Sequence, residues 1–457
     1  MPSRIIASLD ETVSKYLIEF RDLELKALEG GFRFSQFLDM LYETSISFTV
    51  DFKSSLDIKP LARRELSTYL KRRLAPLSQA IEDCPELPEK AKLSIFQLTR
   101  TIWINWLLEV QEILRRVFKD GDLISRQFAA GQRLRLLEIS AGISNSHHGG
   151  RSVHVLKFDR CVVVYKPRSM QIDAAFQDCV EVTGRHLNIY LPTVRCIHMD
   201  EYTWCEFIVD RSYQSLESPS VFFRNAGILL FLLYINGVTD CKLGNIGCTP
   251  SGPVLLDAET ILHPNFASNV VNWAQPQDGV LRCGLVQALV QARITRSSWI
   301  ALFEGFHLIY DVSLSDRTFI SILREQILDF GNLTSRIIFR PSTYYQEALK
   351  VSLSRAIRQN LDLSDCLRVF TAELFHSFPD QSEIWPLVQA EVHALERFDV
   401  PYFAASPDNI NVYDDSGCIG QNVLARAGVS EALDRLNQLS RAHCENTLRL
   451  LAHLVGR

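Results

Sequence analysis

The sequence lacks several features that mark special classes of protein. It has no Cys-x-x-Cys pair, and its 11 cysteines are scattered through 457 residues in an odd number. That excludes a disulfide framework or zinc ribbon and fits reduced thiols. There is no basic excess: 48 Lys and Arg against 53 Asp and Glu give a net charge of -5, unlike the usual nucleic-acid binder. With 21 glycines and 47% hydrophobic residues the chain is neither collagen-like nor disordered. The most apolar stretch, Ile228 to Ile235, is far below the roughly 20 residues needed to cross a bilayer, and reads as a buried helix. The first twenty residues contain Asp10 and Glu11 and no continuous apolar core, so they do not read as a signal peptide. The expectation is a cytoplasmic globular chain of two or three domains.

Up to about Ser140 the apolar positions recur at three- and four-residue spacing, the period of amphipathic helices, and predict an all-helical segment. A Ser/Asn/His/Gly cluster from Ser144 to Ser152 follows, then two β-branched runs separated by the turn-like Asp159-Arg160. A helix is expected from Ile172 to His186, a strand pair turning at Asp200-Glu201, and a helix from Val221 to Asn236. Next come a loop and a short strand, a Pro-Ser-Gly turn, and a strand ending in Asp257 and Glu259. From about Phe266 to Arg457 the pattern is again mainly helical, broken at 339–345 and 400–417. The division is therefore 1–140, 141–265 and 266–457. Helices, a small sheet with a helix, then helices carrying a polar loop predict an α+β chain on the two-lobed plan of kinase-like phosphotransferases.

Lys166 ends a β-branched strand, where a kinase places the lysine that pairs with ATP phosphates, although most strand lysines are only solvated. More specific is Asp240-x-Lys242-x-x-Asn245, followed by Asp257-x-Glu259. This is kinase catalytic-loop spacing: an Asp for the attacking hydroxyl, a Lys for the phosphoryl group, and an Asn and a later acid for Mg²⁺. The alternative is a polar loop with capping acids. In the Ser144 to Arg151 turn, backbone N–H groups could cover phosphates, and His147 or His148 could act as acid or base. A plain solvated turn fits equally. Arg336 and Arg340, four apart, suit one face of a helix and a phosphate, or a salt-bridged surface. Glu206 to Asp210 suggests, by analogy with kinases, a hinge between lobes.

The stretches SHHGGRSVHVLKF, VVVYKPRSMQIDAAF, YTWCEFI, LLFLLYINGVTDCKLGN, GPVLLDAETILHPN, RIIFRPSTYY and FDVPYFAASP, in that order, resemble the dehydratase domain of class II lanthipeptide synthetases, the LanM family. The resemblance implies a lipid-kinase-like core. It also implies an enzyme that uses ATP and Mg²⁺ to phosphorylate Ser and Thr of a precursor peptide and then eliminates phosphate to dehydroalanine and dehydrobutyrine. By position it makes Lys166 the nucleotide-binding lysine, Asp240 the catalytic aspartate, and Asn245, Asp257 and Glu259 the Mg²⁺ and nucleotide set. Lys242 stands where the family has histidine, and Asn145 where it has an acid before Ser-His. His147 matches the histidine of that pattern, and Arg336 and Ser342 match the pair associated with phosphate elimination. The implied partners are a precursor peptide with its leader and, in addition, a separate cyclase, because no Cys-Cys-His zinc set is present. Phosphotransfer without elimination, and a peptide-binding scaffold without catalysis, are the alternatives.

Overall fold

The computed structural model describes residues 2–29, 33–51, 60–82, 87–209, 219–266, 283–373 and 385–455. The amphipathic stretches form α1 (Pro2–Leu28), α2 (Phe34–Asp51), α3 (Pro60–Glu82) and the 40-residue α4 (Glu89–Phe128). Ile95, Ile102, Trp106 and Ile113 recur on one face of α4 and are fully or almost fully buried. Phe20 stacks on Trp103 with ring centroids 5.7 Å apart. Each such ring gains about 2 kcal/mol on leaving water.

Helix does not persist to Ser140. Leu136–Ser140 is a strand, β1, paired antiparallel with β2 (His154–Phe158). The partner strand overrides the helical spacing of the segment before it. β2 and β3 (Val162–Lys166) form the expected hairpin, with His154 opposite Tyr165. After α5 (Gln171–Leu187), β4 (Cys196–His198) and β5 (Thr203–Glu206) form the second expected pair. The sheet order is β1-β2-β3-β5-β4.

The apolar run becomes α6 (Pro219–Ile235), buried on every side from Phe222 onward apart from the half-buried Arg224. Then come the hairpin β6 (Ile246–Thr249) and β7 (Gly252–Leu255), followed by α7 (Leu285–Gln291), α8 (Arg296–Ser315), α9 (Arg317–Asp329) and β8 (Ser335–Ile337). Next are α10 (Ser342–Gln359), α11 (Leu363–Glu373), α12 (Trp385–Glu396) and the short strands β9 (Phe403–Ala405), β10 (Val412–Asp414) and β11 (Gly417–Gly420). The last elements are α13 (Gly428–Asn437) and α14 (Arg441–Val455). The sheet β11-β10-β9-β8 occupies part of the region whose sequence predicts only breaks between helices. Strands of three or four residues are too short to show an alternation.

The chain divides into two compact units with interleaved segments. The first takes in Met1–Ser169, Cys196–Phe207 and Pro341–Pro401 and holds the five-stranded sheet together with α1 to α4 and α10 to α12, with α3 packed on β1. The second takes in Met170–Arg195, Ile208–Arg340 and Tyr402–Arg457, with α6 at the centre of its core. The protein is thus a mixed α+β chain, mostly helical, with small antiparallel sheets. Asp210 of the Glu206–Asp210 segment lies outside the described residues.

Candidate functional site

The polar loop after α6 belongs to the second unit, and local bonds fix its shape. Asp240 adopts a left-handed backbone, φ 62°, which aspartate tolerates better than most residues. Its carbonyl accepts the Lys242 N–H at 2.8 Å and Asn245 Nδ2 at 2.9 Å. Asn245 Nδ2 also lies 3.3 Å from Asp240 Oδ2, and Lys242 Nζ is 2.7 Å from Asp240 Oδ1. Beneath the loop, Cys241 is fully buried and its N–H donates to the Cys283 carbonyl at 2.7 Å.

The β6–β7 hairpin then folds the chain back. With Ile246 opposite Leu255, the Leu256 N–H donates to the Asn245 carbonyl at 2.8 Å, so the two ends of the hairpin run side by side and bring the Asp257 segment to the loop. Thr260 Oγ1 donates to the Thr239 carbonyl at 2.6 Å, and the Leu262 N–H to the Asn236 carbonyl at 2.7 Å. The buried Asp173 of α5 accepts the Ala258 N–H at 2.7 Å and holds the segment between the two acids. Sequence spacing carries no signal for that role of Asp173.

Glu259 is ion-paired with Arg336, whose own N–H donates to the Glu259 carbonyl at 2.7 Å, and Tyr402 Oη lies 3.4 Å from Glu259 Oε2. Burial alone would lower the guanidinium pKa; the charges of Glu259 and Asp257 and the Tyr402 phenol outweigh it and hold Arg336 above the ordinary arginine value. Arg336 lies on β8 and not on a helix, so it and Arg340 do not form a helical face. The β-branched Ile337-Ile338 pair suits a strand better. Arg340 is only 4% exposed, so a solvated surface does not describe it either.

The remaining candidates lie in the first unit. Lys166 ends β3, is buried, and sits opposite Thr203 of β5. Ser342 opens α10, half-buried. His147 Nδ1 lies 2.6 Å from the Val400 carbonyl, which can only accept, so Nδ1 carries a proton and Nε2 is the acceptor atom in the neutral form of the ring. The glycine turn beside it differs from the phosphate-covering role considered above. The Gly149 and Gly150 N–H groups donate to the carboxylate of Asp399, at 2.8 Å for Gly149 and 3.0 Å for Gly150. Gly150 has φ 92°, and a Cβ there would lie 2.6 Å from the Arg73 guanidinium. Behind it, Glu109 Oε1 binds His154 Nε2 at 2.8 Å and the Ser152 N–H at 2.6 Å, all of them buried.

For a divalent cation the relevant atoms are hard oxygens. With Nδ2 of Asn245 turned to Asp240, its Oδ1 is the amide atom suited to Mg²⁺, and the half-buried Asp257 supplies a carboxylate. These two fit the ion. Glu259 already carries Arg336 and Tyr402 on its two oxygens. Among the described residues no group of three or more His, Cys, Asp or Glu side chains converges as a metal set.

Comparison with known proteins gives two findings. The family described as "Domain of unknown function (DUF4135)" matches residues 95–299 and 291–406, more than half of the chain. The chain belongs to that family. His147, Lys166, Asp240, Lys242, Asn245, Asp257, Glu259, Arg336 and Ser342 all lie within the part of this DUF4135 chain that the family covers. The second finding is a relative from Lactococcus lactis subsp. lactis, the Lacticin 481/lactococcin biosynthesis protein LcnDR2. It is 22% identical over 240 residues, 48% of this chain and 25% of the relative, so the match spans a quarter of that protein's length. Among the described residues no helix is long and apolar enough to cross a membrane.

Proposed function

We propose that this DUF4135 chain acts in lanthipeptide biosynthesis as a peptide dehydratase that uses ATP and Mg²⁺ on a kinase-like core, phosphorylating Ser and Thr and then eliminating phosphate. The observation that carries the reading is the loop itself: Asp240 in a strained backbone with Lys242 at 2.7 Å, Asn245 bonded to it, and the Asp257 segment drawn alongside by the β6–β7 hairpin. The lacticin 481 relative supports a precursor peptide as substrate. Asp240 takes the proton of the attacking Ser or Thr hydroxyl, whose oxygen bonds to the γ-phosphorus as ADP departs. In the second unit Lys242 would neutralise phosphate charge and Asn245 and Asp257 would hold Mg²⁺, which when bound supplies further positive charge; the Lys166 ammonium of the first unit is a group of the same chemistry. For elimination a base removes the Cα proton, the Cβ–O bond breaks with its electron pair on the leaving phosphate, and an alkene remains. By its chemistry the imidazole of His147 suits the first role, and the guanidinium of Arg336 or the hydroxyl of Ser342 the second.

One observation favours a second reading, phosphotransfer without elimination. Lys242, where the class II synthetases that the chain resembles have histidine, has its Nζ 2.7 Å from Asp240 Oδ1 and is engaged there as a donor.

The test is mass spectrometry of a Ser/Thr-rich precursor peptide incubated with the chain, ATP and Mg²⁺, with Asp240→Asn as control. Loss of water at Ser or Thr is expected. Accumulated phosphopeptide would establish the second reading, and an unchanged mass with the cognate precursor would overturn both.

A further inference from the structure

The first unit contains a cavity of about 660 Å³ to which none of the chemistry above is assigned. Its walls are the second half of α3, the outer face of α10, the loop after β1 and the segment after α12. From Tyr345 to Arg358 the α10 wall is about 20 Å long at 1.5 Å per residue. That matches about six residues of extended peptide at 3.3 Å each. A lone phosphate would leave most of this length empty.

The charge of the lining has one sign where solvent reaches it. Arg72, Lys350 and Arg358 are exposed cations. Among the described residues Asp399 is the sole carboxylate of the lining. It is 2% exposed and already holds the Gly149 and Gly150 N–H groups, with Arg73 Nη2 at 3.8 Å. The lining also holds apolar side chains, with Leu349 and Leu395 buried and Pro76 and Ala80 half-buried, beside the polar Gln79, Gln346 and Ser354. The cavity also reaches the catalytic candidate. Asn145 and Ser146 line it, Gln346 of α10 donates to Asn145 Oδ1 at 3.1 Å, and Val400, also in the lining, anchors His147.

We propose that this cavity docks an extended segment of the substrate peptide in which carboxylate and apolar side chains alternate, the carboxylates on Arg72, Lys350 and Arg358 and the apolar side chains on the floor. The inference rests on the reading of the chain as an enzyme of peptide substrates and adds where, and by which side chains, such a peptide is gripped. Docking here places the peptide beside the loop that carries His147, and binding at a distance from the reacting residue raises its effective concentration there.

The test uses the full chain without ATP and a fluorescein-labelled peptide of about twelve residues alternating Glu and Leu, read by fluorescence anisotropy. Saturable binding that weakens with added salt is expected, with at least about tenfold weaker affinity when the peptide carries Lys in place of Glu. Lys350→Glu combined with Arg358→Glu, both at exposed positions, should weaken binding by at least about tenfold in a chain that still melts cooperatively. Ala75→Trp, which fills the groove without altering its charge, should weaken it as well. Equal binding by wild type and both variants would overturn the proposal. So would full displacement by inorganic pyrophosphate, which would make the cavity an anion site, or binding that ignores peptide charge. The two readings fail separately. Dehydration of a precursor with unchanged KM in the double variant removes the docking site alone, whereas charge-dependent peptide binding in a chain that never modifies its precursor removes the enzymatic reading alone.

Discussion

A non-glycine residue with a left-handed backbone costs about 1 kcal/mol or more, and Asp240 keeps that conformation because Asn245 and the Lys242 N–H bind its carbonyl. Asparagine tolerates the same backbone. Asp240→Asn should therefore leave the thermal midpoint within a degree or two and abolish transfer, and a combined melt and activity assay checks both. Arg336 makes a different demand. Its removal leaves the Glu259 carboxylate, 7% exposed, without its cation, and Arg336→Ala should cost about 3 kcal/mol in urea unfolding. Combining it with Glu259→Gln should recover much of that loss, because the penalty is the stranded charge and not the missing pair. A double-mutant cycle with purely additive losses would refute the coupling. At this scale the sequence reveals the members of the loop, since Asp240, Lys242 and Asn245 lie within six residues of the linear chain. It hides their partners. His147 is held by a carbonyl 253 residues away and Gly149 by a carboxylate 250 residues away, and no local pattern encodes such distances.

Among the elements, legibility follows length. Long helices and hairpins with β-branched runs and polar turns stand out, because each repeats its period several times. β1 and the strands β8 to β11 do not, because they carry few β-branched residues and take their conformation from the strands they pair with. The run Ile228 to Ile235 identifies a buried helix but not what it meets. Gly227 of α6 and Gly305 of α8 answer that: a Cβ at Gly227 would lie 1.9 Å from the Leu302 carbonyl, and one at Gly305 would lie 1.8 Å from the Arg224 carbonyl. The backbones of the two helices touch, and the contact has no flexible side chain that could yield. Gly227→Ala should force the helices apart and destabilise the chain by about 2 kcal/mol or more, despite the higher helix propensity of alanine. Denaturant unfolding measures it, and a neutral or stabilising result would mean that the helices do not cross this closely.

On the scale of the whole molecule, the two units contain groups, one half-buried and one fully buried, that titrate in different ranges. In the second unit His443 lies between Tyr310 Oη at 2.6 Å and Tyr234 Oη at 3.1 Å, and burial holds its pKa below the ordinary 6.5. The unfolded chain then binds the proton first. Stability from the neutral ring is complete above about pH 6.5 and declines as pH falls through the lowered folded value. In the first unit, burial works to raise the pKa of Glu109, but His154, Arg73 and Ser152 overcome it and hold the carboxyl below 4.5. Its contribution is present above about pH 4.5 and is lost only as pH drops further. On acidification the second unit therefore weakens before the first. Hydrogen exchange read by mass spectrometry, stepped from about pH 7.5 to pH 5.5 and corrected for the intrinsic rate, should show α14 and α6 losing protection while α4 keeps its own. His443→Phe should remove most of that early loss, since phenylalanine fills the same space without a titrating nitrogen. If α4 opened first, or if the phenylalanine variant lost protection as the wild type does, the acid response would have to come from other groups.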